Sequence, residues 1–247
     1  KTQKRSFAAW VLILIVILYM GFLVVAPIIA LVRGAFQAGL VQVFRSLTSN
    51  ALLNALGLSL KIAFIVLLIN MIFGSLVAWV MVRQNFRLKF LVNGLIDIPF
   101  MVSPVVVGYM LLLLFGRNGI LFPVFQSLGV QIAFAVPGML IATLFVTLPF
   151  MIREMIPAIG NLDQAQEYAA ATMGATQWMR FWKIIFPQLK PALLYGFSLT
   201  LARALGEFGA VLVIGGGVQG RTETTTLFIF RCLEERQYVQ AYTADRK

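Results

Sequence analysis

Five apolar runs confine this chain to one kind of fold. They cover 7–32, 53–82, 90–115, 134–152 and 187–214. Each is long and apolar enough for a tilted membrane helix, which needs about 20 residues. Pro27, Pro99, Pro104, Pro137 and Pro149 fall in or near span interiors, where neighbouring helices can satisfy the freed backbone groups. A chain of 247 residues could otherwise hold one or two soluble domains. Apolar residues at 60% and charged residues at 12% exclude that class. The expectation is an all-α, polytopic membrane protein, a single domain over 1–247.

The net charge of +11 does not point to nucleic acid. The basic residues lie scattered between apolar runs, with no stripe of Lys, Arg and aromatics. They suit membrane topology instead. Lys1, Lys4 and Arg5 precede the first run; Arg83, Arg87 and Lys89 fill the second loop; Arg153, Arg180, Lys183 and Lys190 lie on or beside the fourth. The first and third loops hold only Arg33, Arg45 and Arg117. The positive-inside rule then places the N-terminus and the fourth loop in the cytoplasm. The first run resembles a signal peptide, but it is too long and lacks a small-residue cleavage site, so it reads as a span. Cys232 is alone and His is absent, which leaves no intrachain disulfide and no His or paired-Cys metal site. After a polar stretch, 222–236, the expectation is a truncated or partial sixth span from Tyr238, ahead of Asp245-Arg246-Lys247.

The fourth loop, 153–186, is a polar, amphipathic interruption. Asp163 can accept the free N–H groups of a helix start, with Gln166 as capping-box partner. Ala169-Ala170-Ala171 favours helix and adds little bulk. Gly174 is a natural stop. A helix of about ten residues is marginal alone in water, so docking onto a partner would stabilise it. Pro187 then stands where a helix start tolerates proline.

This loop resembles the EAA loop of bacterial ABC-importer permeases: Glu-Ala-Ala, three residues, Gly, nine residues, Ile-x-Leu-Pro. Ala169, Ala170, Gly174, Ile184 and Pro187 match in register, and Phe186 replaces the Leu. Tyr168 holds the Glu position and Glu167 lies one residue early, which leaves open whether Glu167 makes the family's contact. The resemblance implies a cytoplasmic coupling helix seated in a groove of a separate ATPase subunit, with Glu167, Tyr168, Ala169, Ala170, Gly174 and Pro187 as coupling residues. It also implies the type I importer permease architecture. Asp97 to Gly108, Phe134 to Glu154 and Ala202 to Ala210 further resemble the permeases of sulfate and thiosulfate importers, in particular their W-type subunit. Arg203-Ala-Leu-Gly-Glu-Phe-Gly209 is also similar to molybdate permeases, so molybdate or tungstate stands as the alternative cargo. The resemblance implies an ATPase dimer holding ATP and Mg, a second permease of the T type in a heterodimer, and an extracytoplasmic sulfate-binding protein. It implies a bacterial inner-membrane location, no cofactor bound by this chain and no catalytic residue in it.

Charged residues within the spans are candidates for the translocation pathway. Arg203 and Glu207 stand four residues apart, hence on one helix face. Charge at that depth costs at least ~2.5 kcal/mol each unless paired or wetted. Two readings stand: an ion pair that makes the helix insertable, or an Arg203 that offers positive field to a dianion while Glu207 holds its geometry. Lys61 either snorkels to headgroups or lines the pathway. Ser103 is a further pathway candidate, and Asp97 suits pairing with a cation on another helix. Gly74 with Ala78, and Gly206 with Gly209, suit close helix packing. Gly215 to Thr222 has the spacing of a phosphate-binding loop, but no buried strand precedes it, so it reads as a flexible outer loop. A secondary anion transporter would require inverted repeats and broken helices, which the sequence does not display. A membrane-embedded enzyme would require a His, a Cys pair or a carboxylate cluster, and the sequence has none.

Overall fold

The computed structural model describes residues 7–36 and 39–235. The expectations for Lys1, Lys4 and Arg5, and for a sixth span from Tyr238, lie outside the described residues. In chain order the helices are α1 (Phe7–Phe36), α2 (Leu40–Leu47), α3 (Asn50–Arg83), α4 (Lys89–Met101), α5 (Pro104–Phe115), α6 (Phe122–Ser127) and α7 (Val136–Gly160). They continue with α8 (Gln164–Thr172), α9 (Gln177–Arg180), a π-helical turn (Phe181–Ile185), α10 (Phe186–Leu205), α11 (Gly209–Gly215) and α12 (Thr225–Glu234). No strand occurs among the described residues. The chain divides into two compact units, 1–53 with 228–247, and 54–227. In the first, α1 is apolar and largely exposed over Ala9–Gly34, a surface that suits lipid tails. Arg231 lies 5.1 Å over the Phe228 ring and within 3.4 Å of Glu235.

The second unit is built on α3, α7 and α10. One buried cluster joins Ala78 and Met81 of α3, Met151, Ile152 and Met155 of α7, and Leu189 of α10. Small residues set the spacing. A Cβ on Gly74 would stand 3.0 Å from Met151, and one on Gly196 would stand 2.6 Å from the Met151 sulfur. Asn70, fully buried, donates to Thr147 Oγ1 at 2.7 Å, and Thr147 donates to Thr143 O at 2.6 Å. This polar seam ties α3 to α7 where apolar packing has no lipid-side rival to exclude.

The five expected spans hold in number only if a bent pair is counted as one. The third is not continuous: α4 and α5 meet at 111°. Pro104 disfavours helical geometry at the residue before it, and Ser103 is extended at φ −60°, ψ 137°. The fourth span runs on to Gly160, eight residues past the expected end at Ile152, carrying Pro149 and Pro157 within it. The fifth starts earlier and ends earlier. Its helix begins at Gln177, passes through the π turn and stops at Leu205; after Gly206-Glu207-Phe208 the short α11 resumes. The polar stretch 222–236 carries α12 from Thr225 to Glu234. The first turn of α12 is held by Ser59, whose Oγ accepts the Thr225 N–H at 2.9 Å, and by Thr226 Oγ1, which donates to Glu207 O at 2.8 Å. The glycine-rich segment is a folded turn rather than a flexible loop. Thr222 is buried, donates to Gly215 O at 2.7 Å and accepts the Val218 N–H at 3.0 Å. Gly216, Gly217 and Gly220 take the left-handed φ values that this turn requires.

Candidate functional site

The polar helix α8 is capped as its sequence requires. Asp163 Oδ1 accepts the Ala165 N–H at 2.9 Å. The capping box does not form: Gln166 Oε1 instead accepts from Gln188 Nε2 at 3.1 Å, tying α8 to α10. At the other end Gly174 has φ +84°, and the Ala175 N–H reaches back to Ala170 O at 3.0 Å. That is the left-handed C-cap for which glycine has no steric penalty.

The four residues after Gln166 face different ways. Glu167 turns inward and forms an ion pair with Arg83 at the end of α3. Its side chain is 16% exposed. The Arg83 guanidinium also lies 5.0 Å over the Trp79 ring, a favourable cation–π placement. Tyr168 turns outward, 66% exposed, with only a 3.5 Å contact from its hydroxyl to Gln164. Ala169 is exposed and Ala170 is buried within the chain. The free face of α8 is therefore Tyr168, Ala169 and Ala171, continued by Met173 and Gly174. Leu162, just before α8, is buried in the same cluster as Ile159, Ile185 and Leu189, so the helix is rooted in the packed core.

Pro187 does not start a helix. The N-cap is Thr176, whose Oγ1 accepts the Met179 N–H at 3.3 Å, and helix runs from Gln177 to Leu205. The π turn lies just ahead of Pro187, with the Phe186 N–H bonded to Phe181 O. In uninterrupted α register the proline ring would press on the carbonyl four residues back, Lys183 O; the wider turn relieves it. Gln188 Nε2 donates to Ile184 O at 3.0 Å.

The in-span candidates separate into two groups. Arg203 Nη2 stands 2.8 Å from Glu207 Oε2. Glu207 does not sit on the same continuous helix: it lies in the break after α10, and its Oε1 accepts the Ala210 N–H of α11 at 3.0 Å. One buried carboxylate thus links α10 to α11, while the Arg203 side chain remains 28% exposed. Ser103 sits at the other break, exposed, with its carbonyl accepting from Val107 N–H at 3.1 Å. The breaks adjoin. A Cβ on Gly209 would lie 2.9 Å from Val105 Cγ2, and one on Gly108 would lie 2.7 Å from Ala210 O. Broken helices that meet, which the sequence did not display, are therefore present. Gly206 meets only carbonyls of its own helix, the nearer at 3.4 Å, so it is a cap rather than a packing residue. Lys61 is exposed on α3 and makes no ion pair among the described residues. Asp97 does find a cation on another helix, since its Oδ1 accepts Arg153 Nε at 2.9 Å and Nη2 at 2.5 Å.

Sequence reasoning read Arg83 only as a topology charge and passed over Asn70. The Phe134 stretch also has a structural meaning. Phe134 holds φ +57°, its N–H donates to Ile214 O at 2.7 Å, and its ring fills the space where Gly216 lacks a Cβ. A non-glycine residue in that region costs about 1–3 kcal/mol, here offset by pinning the start of α7 to the end of α11.

A helical membrane core with two apposed breaks, carrying a capped polar helix between two spans, defines a polytopic membrane transport subunit. The family described as binding-protein-dependent transport system inner membrane component matches residues 70–232, and the chain belongs to it. It is 40% identical to the sulfate transport system permease protein CysW of Synechococcus elongatus, over 98% of this chain and 85% of that one. It is 39% identical to CysW of Escherichia coli K12, over 97% and 82%, and 34% identical to the CysT permease of the same strain, over 91% and 81%. In fold it matches a chain of a bacterial ABC transporter that imports alginate, at TM-score 0.78 and 18% identity, over 98% of this chain and 89% of that one.

Proposed function

We propose that this chain is the W-type permease of an ATP-driven importer of sulfate or thiosulfate. Its N-terminus and α8 face the cytoplasm, and α8 docks on a separate ATPase dimer that holds ATP and Mg. A T-type permease completes the pathway, and an extracytoplasmic binding protein delivers the anion. The observation that carries the reading is α8 itself. It presents Tyr168, Ala169 and Ala171 outward, while Glu167–Arg83 and Leu162 root it in α3, α7 and α10. A nine-residue helix is marginal alone, so an outward face of small residues beside one aromatic suits a groove that closes on it. Movement of the ATPase would then be passed through Glu167 to α3, and through Gln166 to α10. Arg203, part exposed and held by Glu207 beside the helix breaks, supplies positive field to the passing dianion.

The relatives' names support sulfate over molybdate or tungstate. The family match supports an ABC subunit over a secondary transporter, although the broken helices alone would fit either class.

The test is co-purification. Ala169→Glu places a charge at the docking face and should reduce recovery of the ATPase with this chain at least tenfold, while membrane insertion is unchanged. Undiminished recovery contradicts the docking assignment.

A further inference from the structure

A recess of about 630 Å³ lies between the end of α3, the start of α4 and the last turns of α7. Its polar lining is Lys89, Asn93, Arg153 and Asn161, over an apolar floor that includes Met81 and Pro157. No carboxylate lines it. Asp97 stands behind Arg153 and takes both Nε and Nη2 on a single oxygen, Oδ1. A weaker 3.5 Å contact from Nη2 reaches Asn93 O. Nη1 keeps its full hydrogen-bonding capacity among the described residues. Lys89 is half-buried and has no ion-pair partner among the described residues.

The charges do not cancel. Lys89 and Arg153 against Asp97 leave one net positive charge at the recess. The helix ends oppose one another: α4 begins at Lys89 and brings about +0.5 charge, while α7 ends at Gly160 and brings about −0.5. The side chains therefore decide the sign. Arg87, exposed two residues before the start of α4, adds to the same field. A half-buried ammonium, a free guanidinium edge and two amide side chains are the donor set that an oxyanion requires.

We infer that this recess binds a tetrahedral oxyanion, with Lys89 as its principal charge and Arg153 Nη1 as a second donor. The site is built from α3, α4 and α7 and does not include Arg203 or Glu207. Two sources offer the same chemistry: the phosphate of an anionic lipid, or a free inorganic oxyanion. Phe90, 90% exposed, lines the recess, where a lipid's acyl chains would lie.

The experiment uses the complete complex in nanodiscs. In one arm the lipid is phosphatidylcholine alone, and the unfolding midpoint is compared in sulfate, phosphate and chloride at matched ionic strength. In the other, phosphatidylglycerol is mixed in and the molecules retained per complex are counted by native mass spectrometry. Wild type should gain about 2–6 °C from sulfate or phosphate at saturation, which identifies a free oxyanion, or should retain phosphatidylglycerol, which identifies a headgroup. Lys89→Gln should reduce whichever signal is seen by the share that this recess contributes, and Lys89→Arg should keep it. No signal in either arm with wild type, or a signal unchanged in Lys89→Gln, overturns the inference. A signal lost only in Arg203→Gln also overturns it, because the anion would then sit in the pathway.

Discussion

Glu167 and Tyr168 are neighbours with opposite roles, and the difference lies in one 100° step around α8. Glu167 is paired with Arg83, and both side chains are mostly buried. Removing one partner leaves the other charge poorly solvated. Glu167→Ala should therefore destabilise the chain by about 1–3 kcal/mol, read as a lower unfolding midpoint of the isolated chain in detergent. Arg83→Met with Glu167→Met should recover much of that loss. Tyr168→Ala should leave the midpoint within error but weaken ATPase recovery. A midpoint unchanged in Glu167→Ala would mean that the pair is solvated and does not root α8. The position of Glu167 one residue off the family pattern was legible in the sequence, but its partner was not: Arg83 lies 84 residues away, and its charge already had a sufficient explanation in topology.

At the scale of elements, the spans were legible as apolar runs, and their breaks were not. Composition does not change at Ser103 or at Phe208, since both lie within apolar stretches. Pro104 and Gly209 carried the signal, yet membrane helices tolerate both residue types. What makes the breaks is their apposition. Gly209 admits Pro104 and Val105, and Gly108 admits Ala210 and Val213. Gly209→Leu and Gly108→Leu should each prevent that approach, because overpacking a tight contact costs about 1–3 kcal/mol or more. Gly206→Ala should be tolerated, since its Cβ would meet only its own helix at 3.4 Å. Expression and unfolding midpoint of the three variants measure this. Equal tolerance at all three glycines would show that the α5–α11 contact is loose. The π turn was likewise hidden, because Pro187 reads as a helix start until Thr176 is seen to cap the same rod.

For the whole molecule, one protomer presents Arg203 at the paired breaks and α8 at the ends of α3 and α10. Arg203→Gln keeps polarity and removes the charge, so it should lower transport at least tenfold while complex assembly is retained. Glu207→Lys should also impair assembly, since it would set two cations together where the carboxylate now links α10 to α11. If Arg203→Gln transports normally, Arg203 serves only to neutralise Glu207. The most direct measurement is uptake of radiolabelled sulfate into proteoliposomes holding this chain with the T-type permease and the ATPase proposed as its partners, with binding protein added outside and ATP enclosed. Uptake should require ATP and fall to background in Ala169→Glu, with both permeases still present in the membrane. Uptake that proceeds without ATP, or that is unchanged in Ala169→Glu, would contradict the account.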